Sequence, residues 1–514
     1  MSTDHKILNG FVAGLILTAV TLLVGFVQFR LLLHYLPTET VGIWMVFISI
    51  GGYILFLDLG LVPTLGREIS FISADKGLTE EQRLQQMGTL IRSCTATCAL
   101  LGALVFLAGV PAGWAYLKTL GSWGGIRPAW IIFAAGGVFT LVGEIWPASI
   151  YGMGHVAAER LIRTGGQIVW LLLTVVALIL GFGLEGLAFA WLLQALLSRF
   201  AARYLLGRFQ PGVLSAGKFD FGRIRAILGP SVKFAILLLG GALLLQTDNL
   251  VIASEIGAQT VPGFQIVAKL VTTIGGLSMM LVVTTTPFVS QAHMRQDPIE
   301  IKRLMQRNLR YSLSVIGILG CFVGCFADRI VSLWVGAQYF IGFGVVWTLL
   351  IVMLLDAHQV AMTTATIATG RIAFVHTAVI ACVLNLLFCV FLARRFGLLG
   401  VPLGTLCAQG MTNDWYGPFY TLRYLRIGIV EHARVVILPF IKLLVAVLAI
   451  ALAVRLATNH ASDIIALFTA AGCVGSTGLI IFGAIMLSPQ ERTLLFSQLQ
   501  AKSAKIRESA RGLH

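Results

Sequence analysis

Long apolar runs, separated by short polar connections, recur from one end of the chain to the other. They cover residues 11–33, 41–62, 91–117, 128–150, 165–183, 186–207, 229–252, 261–288, 309–334, 341–367, 372–393, 398–420, 435–457 and 464–487. Each is about 18 residues or longer, the length a helix needs to cross a bilayer's hydrocarbon core. Fourteen spanning helices are therefore expected. The fifth and sixth are separated only by Gly183, Leu184 and Glu185, which predicts a tight hairpin. Lys6 precedes an apolar run from Ile7 to Leu33 that exceeds a signal-peptide core and has no small-x-small site after it. It reads as the first span.

Composition agrees. Of 514 residues, 58% are hydrophobic and only 11% charged, with 55 Gly in addition. A soluble domain carries about 25% charged residues. The expected fold is an all-α polytopic membrane protein, and a soluble enzyme is excluded. No outer connection exceeds roughly a dozen residues, which leaves no room for an external catalytic domain, so function must reside among the helices. The eight Cys lie in or near apolar runs, and the pairs Cys94/Cys98 and Cys321/Cys325 have the i, i+4 spacing of packing residues on one helix face. No zinc-ligand spacing is present.

The net charge of +15 belongs to topology. With the N-terminus placed in the cytoplasm, 28 of the 37 Lys and Arg fall in inner segments and 6 in outer ones; Arg30, Lys269 and Lys442 remain inside spans. Such a bias predicts an even number of spans with both termini cytoplasmic. It accounts for the basic balance without nucleic acid and implies contact with anionic membrane lipids.

A weak duplication runs through the chain. Pro37–Gly42 resembles Gly257–Pro262, Gly154–Ala157 resembles Gly370–Ala373, and Gly183–Gly186 resembles Gly397–Gly400, at offsets of 220, 216 and 214. Six helices per unit give two halves of the same orientation, an arrangement that places a transporter's cargo site between them. The domains read as an N-terminal six-helix bundle over 1–212, a second over 213–430, an additional helix pair over 431–487 and a basic cytoplasmic tail over 488–514.

The stretch Gly25–Gly42, the turn Asp58-Leu59-Gly60-Leu61 followed by Arg67 and Glu68, the segment from Asp248 and Ile252 through Val261–Leu270 to Pro287, and the turn Phe396–Gly400 together resemble the Wzx-type lipid-linked oligosaccharide flippases of the MATE-like MOP exporter superfamily. The likeness spans about residues 7–430. Fourteen helices are also found in the lipid II flippases, although here the first helix carries only Arg30. The resemblance implies a transporter, not an enzyme, in a bacterial inner membrane. It would flip an undecaprenyl-diphosphate-linked oligosaccharide to the outer leaflet by alternating access, alongside polysaccharide polymerase machinery. No cofactor is implied beyond a coupling H+ or Na+. The competing readings are a MATE-type cation-coupled multidrug antiporter, a lipid II flippase, and a membrane glycosyltransferase or polymerase; the last would need a loop with paired carboxylates.

A charge at mid-bilayer costs about 2.5–3.5 kcal/mol on insertion scales, so each buried one needs a reason. Arg30, about three residues from the outer end of the first helix, either snorkels or lines the cavity. Lys269 lies roughly 12 Å into the eighth helix, which makes snorkelling harder. These two are the candidate cargo contacts for a pyrophosphate. Lys442 reads as a snorkelling residue. Asp356, nearest the midplane among the acids, is the candidate for coupling, with a structural hydrogen-bonded acid as the alternative. His358 is about 200° further round the helix and reads as packing. Asp58, Glu144 and Asp248 complete the coupling or gating set, and Arg30 with Asp248 is expected to form an outer gate.

Overall fold

The structure is a computed structural model that describes residues 3–75, 77–120, 126–369, 371, 374–487 and 493. The basic tail, apart from residue 493, lies outside the described residues, as do three of the four residues Gly370–Ala373. The described residues are helical nearly throughout, with a helical segment at each of the fourteen expected positions. In order these are α1 (Thr3–Tyr35), α2 (Thr38–Ile54), α3 (Leu61–Ala74), α4 (Glu80–Leu117), α5 (Ile126–Gly143), α6 (Ile145–Gly152), α7 (Val156–Ile179), α8 (Gly183–Phe209) and α9 (Phe221–Glu255). They continue with α10 (Val261–Met294), α11 (Pro298–Trp334), α12 (Phe343–Ile367), α13 (Val375–Phe396), α14 (Gly400–Met411), α15 (Asn413–Tyr424), α16 (Ile429–His432), α17 (Leu438–Ala457) and α18 (Asp463–Ile481). Among the described residues eleven segments are long and apolar enough to cross a membrane, and large apolar side chains such as Leu107 and Phe468 are more than 70% exposed. A face of this kind is stable against hydrocarbon and not against water.

Several helices begin about ten residues before their apolar runs, because their first turns are capped. Thr79 and Gln82 form a reciprocal capping box at α4. Asp220 accepts from Gly222 and Arg223 at α9, and Asp297 accepts from Glu300 at α11.

Three of the spans read as continuous are interrupted. In the second, Leu59 and Gly60 adopt left-handed conformations with φ of 53° and 72°. The Asp58 carboxylate accepts from the amides of Gly60 (2.9 Å) and Val62 (3.0 Å), so the chain restarts at once as α3. The fourth span is interrupted only mildly at Glu144, between α5 and α6, where φ and ψ stay helical and the Glu144 N–H still donates to the Thr140 carbonyl, whereas the twelfth breaks at Thr412, between α14 and α15.

Two compact units emerge, one of residues 1–265 with 378–405, the other of 266–377 with 406–514. Residues 213–265 and 378–405, which the repeat places in the second half, thus pack with the first unit. That unit has an aromatic core in which Trp44 stacks on Trp170 (5.8 Å) and Phe133 on Trp191 (5.6 Å). Gly42 allows a close approach there: a Cβ on it would sit 1.8 Å from the Ala258 carbonyl oxygen. The repeated segments 37–42 and 257–262 therefore pack directly on each other. Gly113 likewise serves packing, since it lies against Trp130.

The second unit is built on Met305, Leu309, Phe326, Met362, Phe440 and Leu443. In it α17 and α18 pack on α11. Arg455 pairs with Asp328 at 2.8 Å, and Arg329 donates to the Thr458 carbonyl at 2.9 Å. The eight cysteines are free, and Cys94, Cys98, Cys321 and Cys325 are buried.

Candidate functional site

Each unit holds polar side chains within spanning helices, and the two sets differ in how completely they are satisfied. In the first unit the C-terminal part of α9 meets α2 in a polar layer. Tyr53 and Thr247 share a hydrogen bond of 2.9 Å. Asn249 donates to Ser49 (2.7 Å) and accepts from Gln265 (2.5 Å), and the Tyr116 hydroxyl donates to the Leu250 carbonyl (2.7 Å). Asp248 sits within this layer, and its Oδ1 is buried without a partner. Leaving a buried carboxylate oxygen without a hydrogen-bond partner in a spanning helix is costly.

At the interruption between α5 and α6, Glu144 is the hub of an ion-pair cluster. It accepts from Arg163 on α7 at 3.0 and 3.3 Å and from Arg199 on α8 at 2.5 Å. Arg163 also binds Glu159 one turn earlier, and Arg160 approaches Glu159 at 3.5 Å. Four helices meet here, and paired charges hold the interrupted span in place. The i, i+4 spacing of Glu159 and Arg163 is the signal in the sequence for this cluster.

Asp58 is accounted for by its helix cap. Arg30 is exposed on α1 and makes no ion pair among the described residues. The structure does not bring Arg30 and Asp248 together, since α1 packs chiefly on α7.

In the second unit α12 and α15 run side by side. Thr366 and Thr421 share a hydrogen bond (2.9 Å), Tyr424 donates to Thr369 (3.2 Å), and a Cβ on Gly417 would touch Thr363 and Gln359. These contacts set a register that brings Asp414 of α15 to about the level of Asp356 on α12. Both carboxylate oxygens of Asp414 are buried without a partner. Asp414 is absent from the sequence-derived set, although it lies well inside an apolar run and could have been found by the same test as Asp356. Lys269, on α10, is half-buried and makes no ion pair among the described residues.

His358 is a hydrogen-bonded packing residue, as read from the sequence: its Nε2 lies 3.1 Å from Nε2 of His432 on α16. The adjacent Glu431 is held by Lys302 at 2.5 Å, so α16 is tied to both α11 and α12. No cluster of three or more metal-ligating side chains occurs among the described residues.

Comparison with known proteins bears on this arrangement. A family model described as polysaccharide biosynthesis protein matches residues 157–341. No curated protein sequence matches the chain. Among solved structures, the lipid II flippase MurJ in an inward closed conformation is similar at a TM-score of 0.67 and 12% identity, over 92% of this chain and 99% of that one. An inward-facing multidrug resistance MATE transporter of the MOP superfamily is similar at 0.64 and 15% identity, over 79% of this chain and 94% of that one. An outward-facing MATE transporter gives 0.58 and 16%, over 82% and 95%. The likeness read from the sequence is thus matched in three dimensions: the chain has the fold of the MOP-superfamily transporters, and a polysaccharide-biosynthesis match lies within it.

Proposed function

We propose that the protein is a flippase that carries an undecaprenyl-diphosphate-linked oligosaccharide from the cytoplasmic to the outer leaflet by alternating access. The observation that carries this reading is the polysaccharide-biosynthesis match over 157–341 inside a MOP-type fold. The match favours a glycan cargo, and the fold favours transport over chemistry. In this reading the protein lies in the bacterial inner membrane with both ends cytoplasmic, and its product is used by polysaccharide polymerase machinery.

Arg30 and Lys269 are the proposed contacts for the diphosphate. Each is a cation with no acid partner among the described residues, so neither has to break an ion pair to bind an anion. Asp248 and Asp356, with Asp414, are the proposed sites of H+ or Na+ coupling, because an unpaired carboxylate in a spanning helix is stable only when protonated or holding a cation. Glu144 and Asp58 hold the interrupted spans in place.

The test is reconstitution in vesicles with synthetic undecaprenyl-diphosphate-linked chitobiose in one leaflet, its appearance in the other being read with an impermeant lectin. Acceleration over protein-free vesicles supports the reading, and an unchanged rate rejects it. The unpaired acids together with the MATE-like fold also favour a second reading, a cation-coupled multidrug antiporter. That reading predicts pH-driven or Na+-driven ethidium efflux in the same vesicles.

A further inference from the structure

We propose that one face of α15 is a carbohydrate track, formed by Tyr416, Tyr420 and Tyr424, along which the sugar rings of the cargo stack. This rests on the flippase reading and adds the surface that would recognise the glycan. The three tyrosines recur every fourth residue and so share a face. Their ring centroids are 6.3 and 6.5 Å apart, and the rings of Tyr420 and Tyr424 are within 18° of parallel. Phe374 and His376 set their rings edge-on to Tyr420 (5.4 Å) and Tyr416 (5.1 Å), which holds the row in place. Arg371 lies over the Tyr424 ring at 4.8 Å and closes the inner end.

The row does not have the character of a lipid-facing surface. The neighbouring stripe of α15 does: Trp415 and Phe419 are about half exposed, and the Trp415 indole N–H is satisfied by the Met411 carbonyl. The hydroxyls of Tyr416 and Tyr420, by contrast, have no protein partner among the described residues and are not sealed from the surroundings. An unpaired hydroxyl facing hydrocarbon is penalised, so this face meets water or a polar cargo. Nor is it an interfacial aromatic belt, because Tyr416 lies roughly 12 Å along the helix from Tyr424. A row of partly exposed tyrosines offers flat apolar faces bordered by hydroxyls. A pyranose ring offers the complement, an apolar C–H face bordered by hydroxyls.

At the inner end, the Arg371 guanidinium is a donor for the diphosphate.

The test measures binding to the full-length protein in lipid nanodiscs. Two probes are compared, synthetic undecaprenyl-diphosphate-linked chitobiose and bare undecaprenyl diphosphate. The wild type is expected to prefer the glycosylated lipid. Tyr416→Ala and Tyr420→Ala should each reduce that preference by up to about tenfold, the scale of one stacking contact, while the affinity for the bare lipid stays unchanged and reports intact folding. Tyr420→Phe should keep most of the preference, and Trp415→Ala all of it. A preference that survives the double variant Tyr416→Ala/Tyr420→Ala, or is missing in the wild type, overturns the track and leaves the flippase reading standing. A wild type that binds neither lipid overturns both. Ethidium binding that is lost in Tyr420→Ala while the glycan preference persists would assign the row to aromatic cations and overturn the proposal.

Discussion

Replacing Glu144 with Gln keeps the side chain's shape and removes its charge, which separates a structural role from a coupling one. Among the described residues Glu144 is the sole carboxylate bonded to Arg199, whose side chain is 12% exposed; Arg163, at 35%, keeps Glu159. The loss therefore falls mainly on Arg199. Stranding one partner of a buried pair costs about 3–5 kcal/mol, whereas the better-solvated Arg163 bond contributes about 0–1 kcal/mol. The expected destabilisation is about 3 kcal/mol, read as a lowered midpoint of thermal unfolding in detergent micelles. Glu255→Gln is the matched control. It breaks the Arg394–Glu255 pair (2.7 Å), in which Arg394 is 66% exposed, and should cost no more than a surface pair. The double variant Glu144→Gln/Arg199→Met removes both charges and should recover most of the loss, because an apolar replacement of a buried pair is often neutral. Transport by Glu144→Gln should fall in proportion to folded protein, with an unchanged pH profile. A variant as stable as the wild type that loses the pH dependence of transport would refute this reasoning and make Glu144 a coupling group.

Gly42→Ala should sharply reduce folded protein, because the new methyl group would overlap the Ala258 carbonyl, whereas Gly14→Ala, which meets open space, should be silent in the same expression and gel-filtration assay. Asp356→Asn should slow transport without loss of insertion and remove its dependence on the coupling ion; a wild-type rate with wild-type pH dependence would reject the coupling role. On a cysteine-free background, a cysteine at the exposed Phe182 should react with an impermeant maleimide from outside intact cells, and one at Ile299 should not. The reverse pattern would invert the proposed topology.

What the sequence by itself determined was the placement of helices. A helix in a bilayer satisfies all its backbone hydrogen bonds internally, so an apolar run of sufficient length is enough to locate it without knowledge of its neighbours. The caps at Thr79, Asp220 and Asp297 are also local, yet hydropathy alone does not place them, so these helices start earlier than their apolar runs. The interruptions at Asp58 and Glu144 escape it too, because hydropathy averages over the residue that interrupts the ladder. The candidate site was legible only as a set of charges that needed explaining. Which of them are paired depends on faces and registers between helices far apart in the chain. Glu144 meets an Arg 55 residues away, and Asp414 reaches the level of Asp356 only through the α12–α15 register set by Thr366 and Thr421. Arg30 and Asp248, matched in depth by the repeat, were left apart because depth along a helix says nothing about its azimuth. Tertiary packing alone decided which acids are satisfied and which remain free, since a buried charge is stable or reactive according to what lies within about 4 Å of it.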